Sequence, residues 1–544
     1  MRKQLFILFI LLATCLQAQV LIRGPYLQSL SDTSVKIMWR TDIAANSEVW
    51  MGSTIGGQSL KVIDNTLVKD HIVAITGLTA GTKYFYTVKS DGTVLGGNDD
   101  WHHFTTSPAQ GSRLPFRFWV LGDFGKRSTV QIETRNAYTA YAAATKPADF
   151  WLWLGDNAYD TGTDQEYQDK VFDKVYGYDS LFRFLPSYPL PGNHDYGSVT
   201  QINAVNHKGP YYNMVEVFKN GEMGGVPSGT ENYYSFNWGN AHFICLNSEI
   251  YGEILAPANS RMMDWLKDDL AADNSEWKIV QFHQPPYSKG SHDSDDFFEV
   301  IMASMRVNFT PVFEQYGVDL VLCGHSHVYE RSYLIKGHTG KSWSFNPVQH
   351  AIQYRAGIPD DDGPYVKYID GDSVNIGTIY VVSGNGGSNE DEATLNHKAM
   401  YIGDAGSGVC GSLVVDVEGN RVDVRYLKSN GEIGDHFAVE KKSSFVSAVF
   451  DRGTDFDYLN LYPNPVNDKI NMEWSQKKGM DLQITLTDIS GKLISVIAEK
   501  QYDRGLHHLV FDLSTLDIPS GQYHINIRSA EGEALSRALI QFAN

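Results

Sequence analysis

Short apolar runs that break off at residues able to bind a metal ion constrain this chain more than any other feature. Phe116 to Leu121 ends at Gly122-Asp123-Phe124-Gly125, and Phe150 to Leu154 ends at Gly155-Asp156-Asn157-Ala158-Tyr159. Val280-Gln281-Phe282-His283 closes a third run, and residues 318–322 lead into Gly324-His325-Ser326-His327. Gly192-Asn193-His194-Asp195 is a further donor-rich phrase. Each run has the length of a buried strand, and loops leaving strand ends are where α/β enzymes gather their reactive groups. Helical patterns over 130–144, 261–271 and 310–316 alternate with these runs. Strand, loop, helix, strand predicts an α/β region. Runs at 233–236 and 242–246 around Trp238-Gly239-Asn240 read as a hairpin, which makes its sheet mixed.

A chain of 544 residues is too long for one ordinary domain. Residues 20–108 alternate apolar and polar, with Val35, Ile37 and Trp39 on one face and Tyr84, Tyr86 and Val88 on another; this predicts an all-β sandwich. Residues 114–440 form the α/β part, and 441–456, polar and without pattern, read as a linker. Residues 457–544 alternate again, with Ile484, Leu486 and the nearby Ile489 against Gln483, Thr485 and Thr487, and predict a second all-β sandwich. Residues 1–18 have the form of a signal peptide: Arg2 and Lys3, an apolar run too short to span a bilayer, and Leu16-Gln17-Ala18 for cleavage. No later stretch is apolar for long enough, so the expectation is an exported protein with no transmembrane span. Cleavage makes the formal charge of −19 two units more negative, which argues against nucleic acid as a partner, since that needs a basic stripe. The remaining cysteines, Cys245, Cys323 and Cys410, are odd in number, two of them inside apolar runs, and read as buried thiols.

The stretch Leu78-Thr79-Ala80-Gly81-Thr82-Lys83-Tyr84-Phe85-Tyr86 resembles fibronectin type III domains and the N-terminal domain of the larger purple acid phosphatases. In the tail, Tyr462-Pro463-Asn464-Pro465, then Thr487-Asp488-Ile489-Ser490-Gly491-Lys492-Leu493, then Pro519-Ser520-Gly521-Gln522-Tyr523 resemble the type IX secretion C-terminal sorting domain. That resemblance implies the type IX secretion machinery as a partner, and a secreted or cell-surface location. Gly-Asn-His-Asp followed by Gly-His-x-His resembles the calcineurin-like metallophosphoesterases. Those enzymes commonly open with Asp-x-His, but here the third position is Gly125, and Tyr159 stands three positions after Asp156. A missing histidine answered by a tyrosine is the pattern of purple acid phosphatases, which the phrase from Gly324 to Arg331 also resembles. The family resemblance implies two facing mixed sheets flanked by helices, a four-layer α/β sandwich.

Carried over residue by residue, the resemblance gives Asp123, Tyr159 and His327 to one metal and Asn193, His283 and His325 to a second, with Asp156 bridging. Two carboxylates and a phenolate favour Fe(III) at site one, while imidazoles and an amide suit Zn(II), Fe(II) or Mn(II) at site two. A pair of ions roughly 3.5 Å apart can clamp a phosphate and generate a hydroxide that attacks it directly. The expected activity is therefore acid phosphatase hydrolysis of a small phosphorylated substrate. By the same resemblance His194 orients phosphate or protonates the leaving group, and His292 faces substrate. A phosphodiesterase or nucleotide hydrolase using the same ions is the alternative within hydrolases; a surface-binding protein with a vestigial site is the alternative outside them. Glu330-Arg331 reads as a structural ion pair, and Gly384-Asn385-Gly386-Gly387 as a turn beside the metal pocket.

Overall fold

The computed structural model describes residues 19–197, 200–369, 374–388, 394–404, 409–442, 451–452, 456–462, 466–530, 532 and 534–542. The expected signal peptide, most of the expected linker and Pro463-Asn464-Pro465 lie outside the described residues.

The N-terminal strands are Leu21–Gln28, Ser34–Gly52, Leu60–Thr76, Lys83–Ser90, Thr93–Gly97 and His103–Thr105. Val35, Ile37 and Trp39 are buried, as are Tyr86 and Val88 on the paired strand, as the alternation required. A single parallel pairing, Gln28 with Ser187, makes this sheet continuous with the first catalytic sheet.

That catalytic sheet runs, in order, Tyr365–Tyr368, Ile433–Lys442, Arg421–Lys428, Gly411–Glu418, Phe116–Leu121, Phe150–Leu154 and Ser187–Leu190. The second runs Tyr234–Trp238, Ala241–Cys245, Trp277–Phe282, Leu320–Cys323, Ile379–Ser383, Tyr329–Ser332 and Met400–Asp404. Both are mixed, and the parallel strands Phe116–Leu121 and Phe150–Leu154 are buried throughout, which explains their runs with no exposed face. The sheets meet through aromatic side chains: Phe118 sits edge-on to Phe243 at 5.3 Å, and Phe150 packs on Trp238 at 4.5 Å. Thr129–Ala144 covers the outer face of the first sheet, with Tyr138 stacked on Trp119 at 4.1 Å. Ser128 caps this helix by accepting from the Gln131 amide, and the chain leaves it just before Pro147. Arg261–Ala272 and Thr310–Gln315 cover the second sheet, burying Met262, Leu266 and Phe313. Helix, sheet, sheet, helix is the four-layer order.

The tail has its own core, centred on Trp474, Ile484, Leu486, Ile525 and Ile540, between a five-stranded and a three-stranded sheet. Ile489 is exposed rather than packed with Ile484 and Leu486, because the chain turns there and the Gly491 amide donates to the Asp488 carbonyl. At the margins of the expected linker, Ile433–Lys442 and Asp451–Arg452 are strands. Cys245, Cys323 and Cys410 are free and buried. Among the described residues no helix is long and apolar enough to cross a membrane.

Candidate metal centre

All seven expected ligands lie just beyond the ends of parallel strands. Asp123, Asp156 and Asn193 follow three neighbouring strands of the first sheet, and His283 and His325 follow two neighbours of the second. Asp123, Asp156 and His325 all adopt left-handed backbone, with φ of 56°, 51° and 67°. Non-glycine residues hold such conformations where surrounding structure over-determines them, commonly at functional sites.

Two donor clusters result. In the first, the Tyr159 hydroxyl donates to Asp123 Oδ1 at 2.8 Å and lies 2.9 Å from His327 Nε2, which is itself 3.5 Å from Asp123 Oδ1. In the second, His283 Nε2 lies 3.2 Å from Asn193 Oδ1, 3.3 Å from Asp156 Oδ1 and 3.3 Å from His325 Nδ1. Asp156, His283 and His325 present one donor atom each within 4.8 Å of one another.

The absent histidine of the first motif has a steric cause. A Cβ on Gly125 would come within 1.9 Å of the Asn157 carbonyl oxygen, so no side chain fits. The same approach lets the Tyr159 amide donate to the Gly125 carbonyl, which brings the phenol in from the neighbouring loop. Gly192 is equally constrained, since its Cβ would meet Asp156 Oδ1 at 2.3 Å. The 384–387 turn packs behind Asp123, with the Gly386 amide donating to the Gly122 carbonyl.

Electrostatics fit a cation between these groups. Asp123 and Asp156 are buried, and neither is paired with a lysine or arginine among the described residues. Burial, then the charges of Asp123 and Asp156, push the Tyr159 phenol well above its usual range, so a phenolate there requires a positive ion beside it. For His283, burial lowers the pKa, but Asp156 and Asp123 outweigh it and raise it to about 10. His325 is lowered to about 4 by burial, only partly offset by Glu299. The imidazole of His283 is fixed by Nδ1, which donates to the Leu154 carbonyl at 2.8 Å, leaving Nε2 to face the cluster.

His194 lies beside the clusters. Its backbone amide donates to Asp156 Oδ1, its Nδ1 lies 2.5 Å from the Asp160 carbonyl, and its Nε2 lies 3.8 Å from Asp156 Oδ2. His292 stacks on His325 with ring centroids 3.9 Å apart, and its Nδ1 meets Glu299 Oε1 at 2.5 Å. Three neighbours have no role in the expected ligand set. Glu299 also approaches His325 Nε2 at 3.7 Å; Lys126 places Nζ 3.6 Å from the Tyr159 ring centroid; and buried Asp195 holds two ligand loops together. Lys126 directly follows Gly125 and could have been noticed; Glu299 sits in a loop whose course no periodicity reports. Glu330 and Arg331 do not pair with each other, because neighbours on a strand point to opposite faces. Arg331 instead binds Asp435 at 2.6 Å, and Glu330 accepts from the Lys289 amide at 3.0 Å.

The fold and the converging donors are those expected of a metallophosphoesterase, and residues 116–329 match the calcineurin-like phosphoesterase family model. Residues 24–106 match the purple acid phosphatase N-terminal domain model and 460–541 the secretion system C-terminal sorting domain model, so in three successive segments the chain is similar to a purple acid phosphatase followed by a sorting tail. It is 26% identical over 404 residues to an uncharacterized protein of Mycobacterium tuberculosis, covering 67% of this chain and 69% of that one. It is 28% identical to a purple acid phosphatase of Glycine max, over 48% of this chain and about half (52%) of the relative. A purple acid phosphatase from yellow lupin (Lupinus luteus) seeds shares the fold, with a TM-score of 0.57 at 16% identity over 77% of this chain and 75% of that one.

Proposed function

We propose that this chain is an exported phosphoric monoester hydrolase that works with two unlike metal ions. The observation that carries the reading is the pair of donor clusters, one containing a phenol and a carboxylate and the other two imidazoles, an amide and the Asp156 carboxylate. Asp123, Tyr159 and His327 would hold Fe(III), Asn193, His283 and His325 would hold Zn(II), Fe(II) or Mn(II), and Asp156 would bridge. When bound, such a pair activates water and stabilises charge on phosphate.

The chain's own groups supply the rest. His194 donates from Nδ1 to the Asp160 carbonyl, which turns Nε2 toward the bridging carboxylate, where it orients phosphate and passes a proton to the departing alcohol. His292, held by Glu299 and stacked on His325, orients the ester from the other side. Export rests on the tail match and on the signal-like residues 1–18. The domain limits 20–108, 114–440 and 457–544 are proposed on the same footing.

The test is metal content and visible absorption of the purified protein, with hydrolysis of 4-nitrophenyl phosphate compared with its diester. Monoester turnover and a visible band lost in Tyr159→Phe are expected. A fully metallated protein with no visible band refutes the tyrosinate–iron assignment, and a diester preference refutes the monoesterase reading.

A further inference from the structure

Phe297 and Phe298 are 82% and 85% exposed, although large apolar side chains standing together in water usually mark a binding surface. Their rings meet edge to face at 5.6 Å. They sit at the tip of the segment joining His292 to Glu299, and both of those residues contact His325. Glu299 Oε2 lies 3.7 Å from His325 Nε2 and adjacent Cα atoms are about 3.8 Å apart, so the Phe298 Cα stands within roughly 12 Å of the His325 imidazole. Trp343, 71% exposed, stands on a neighbouring turn tied to the same segment. Asp295 accepts from the Ser342 amide at 3.0 Å, Lys341 Nζ donates to the Asp295 carbonyl at 2.8 Å, and Lys289 Nζ pairs with the Asp295 carboxylate at 3.0 Å. Phe297 and Phe298 therefore stand on a loop whose two ends contact His325, and Trp343 on a turn tethered to that loop.

We propose that Phe297, Phe298 and Trp343 form a platform for a flat aromatic leaving group, so that the enzyme prefers phosphate esters of phenols or nucleosides to those of small aliphatic alcohols. This rests on the phosphatase reading above. A substrate held at its phosphate by the centre has its other end directed outward, and ring-on-ring contact is the interaction these residues offer. Both sources of such a ring, a phenol and a nucleobase, present the same flat face.

The experiment compares kcat/KM for phenyl phosphate, a phosphotyrosine peptide, adenosine monophosphate and glycerol phosphate in the metal-loaded parent, in Phe297→Ala/Phe298→Ala and in Trp343→Ala. Aromatic esters are expected to lose roughly 5–10-fold, mainly through KM, as stacking energies of this size imply, while glycerol phosphate stays unchanged. Loss confined to the peptide or to the nucleotide identifies which source the platform serves. Equal losses on all four esters or no loss on any overturn the proposal. If the parent hydrolyses none of them, the phosphatase reading fails. The platform is then judged by quenching of the Trp343 fluorescence difference, parent minus Trp343→Phe, by adenosine monophosphate, and absence of quenching overturns it.

Discussion

Asp195→Asn should loosen the centre without touching a metal ligand. Asp195 is fully buried, and its Oδ1 accepts from the Asn157 amide at 3.0 Å, the Ala158 amide at 3.3 Å and the Tyr167 hydroxyl at 2.6 Å. Its Oδ2 accepts from Asn157 Nδ2 at 2.9 Å and the Gly192 amide at 2.8 Å. One carboxylate thus clasps the loop carrying Asp156 and Tyr159 to the loop carrying Asn193. An asparagine keeps one oxygen and turns an NH₂ toward donors. In one orientation the Ala158 amide is stranded; in the other, the Gly192 amide and Asn157 Nδ2 are. Each stranded buried donor costs about 1–3 kcal/mol, and the side chain takes the orientation that strands one, so a loss of ~1–3 kcal/mol is expected. At about 2 °C per kcal/mol for a domain of this size, Tm falls by about 2–6 °C. The assay is thermal unfolding by near-UV circular dichroism, with metal per chain measured on the same samples. A lower Tm accompanied by metal loss is expected. A parental Tm with both metals retained would refute the clasp.

His194→Ala should cut turnover by about 10²–10⁴-fold with both metals retained, as a lost proton-transfer group implies; metal lost in parallel with activity would make it a ligand. At Asp295 burial pushes the carboxyl up, but hydrogen bonds from Ser342 and Lys289 outweigh it and hold it at about 2. Its contribution is therefore complete above the unfolded value of about 3.9 and disappears as pH falls toward 2. The Trp343 fluorescence difference should show an acid transition in that window that Asp295→Asn lacks. Deleting 457–544 should leave kcat/KM for aryl phosphate within about twofold, because the tail has its own hydrophobic core, while export of the truncated chain fails.

Much of the fold was legible because burial leaves a periodic mark. The unbroken run Phe116–Leu121 announced a strand covered on both faces, and the helix pattern expected over 130–144 became Thr129–Ala144. The capping box from Thr163 to Glu166 also signals the helix Asp164–Lys170. Ile489 was misplaced because alternation does not say where a strand stops and a turn starts. Glu330 and Arg331 were paired by adjacency, although a pleated strand separates neighbours; only the third dimension offered Asp435, more than a hundred residues along, as the real partner.

The sequence by itself determined the five donor-rich phrases and that four of them follow the end of an apolar run, since residue type and local hydrophobic pattern are properties of one segment. It also held both halves of the exchange at Gly125 and Tyr159. The tertiary structure alone decided that these loops meet, that an Asn157 carbonyl occupies the space a histidine would need, and that Asp195 clasps two loops. It alone placed Glu299 against His325 and tethered Phe297, Phe298 and Trp343 on the rim. Those contacts follow from strand order and sheet packing, which bring together segments far apart in the chain and leave no trace within any one of them.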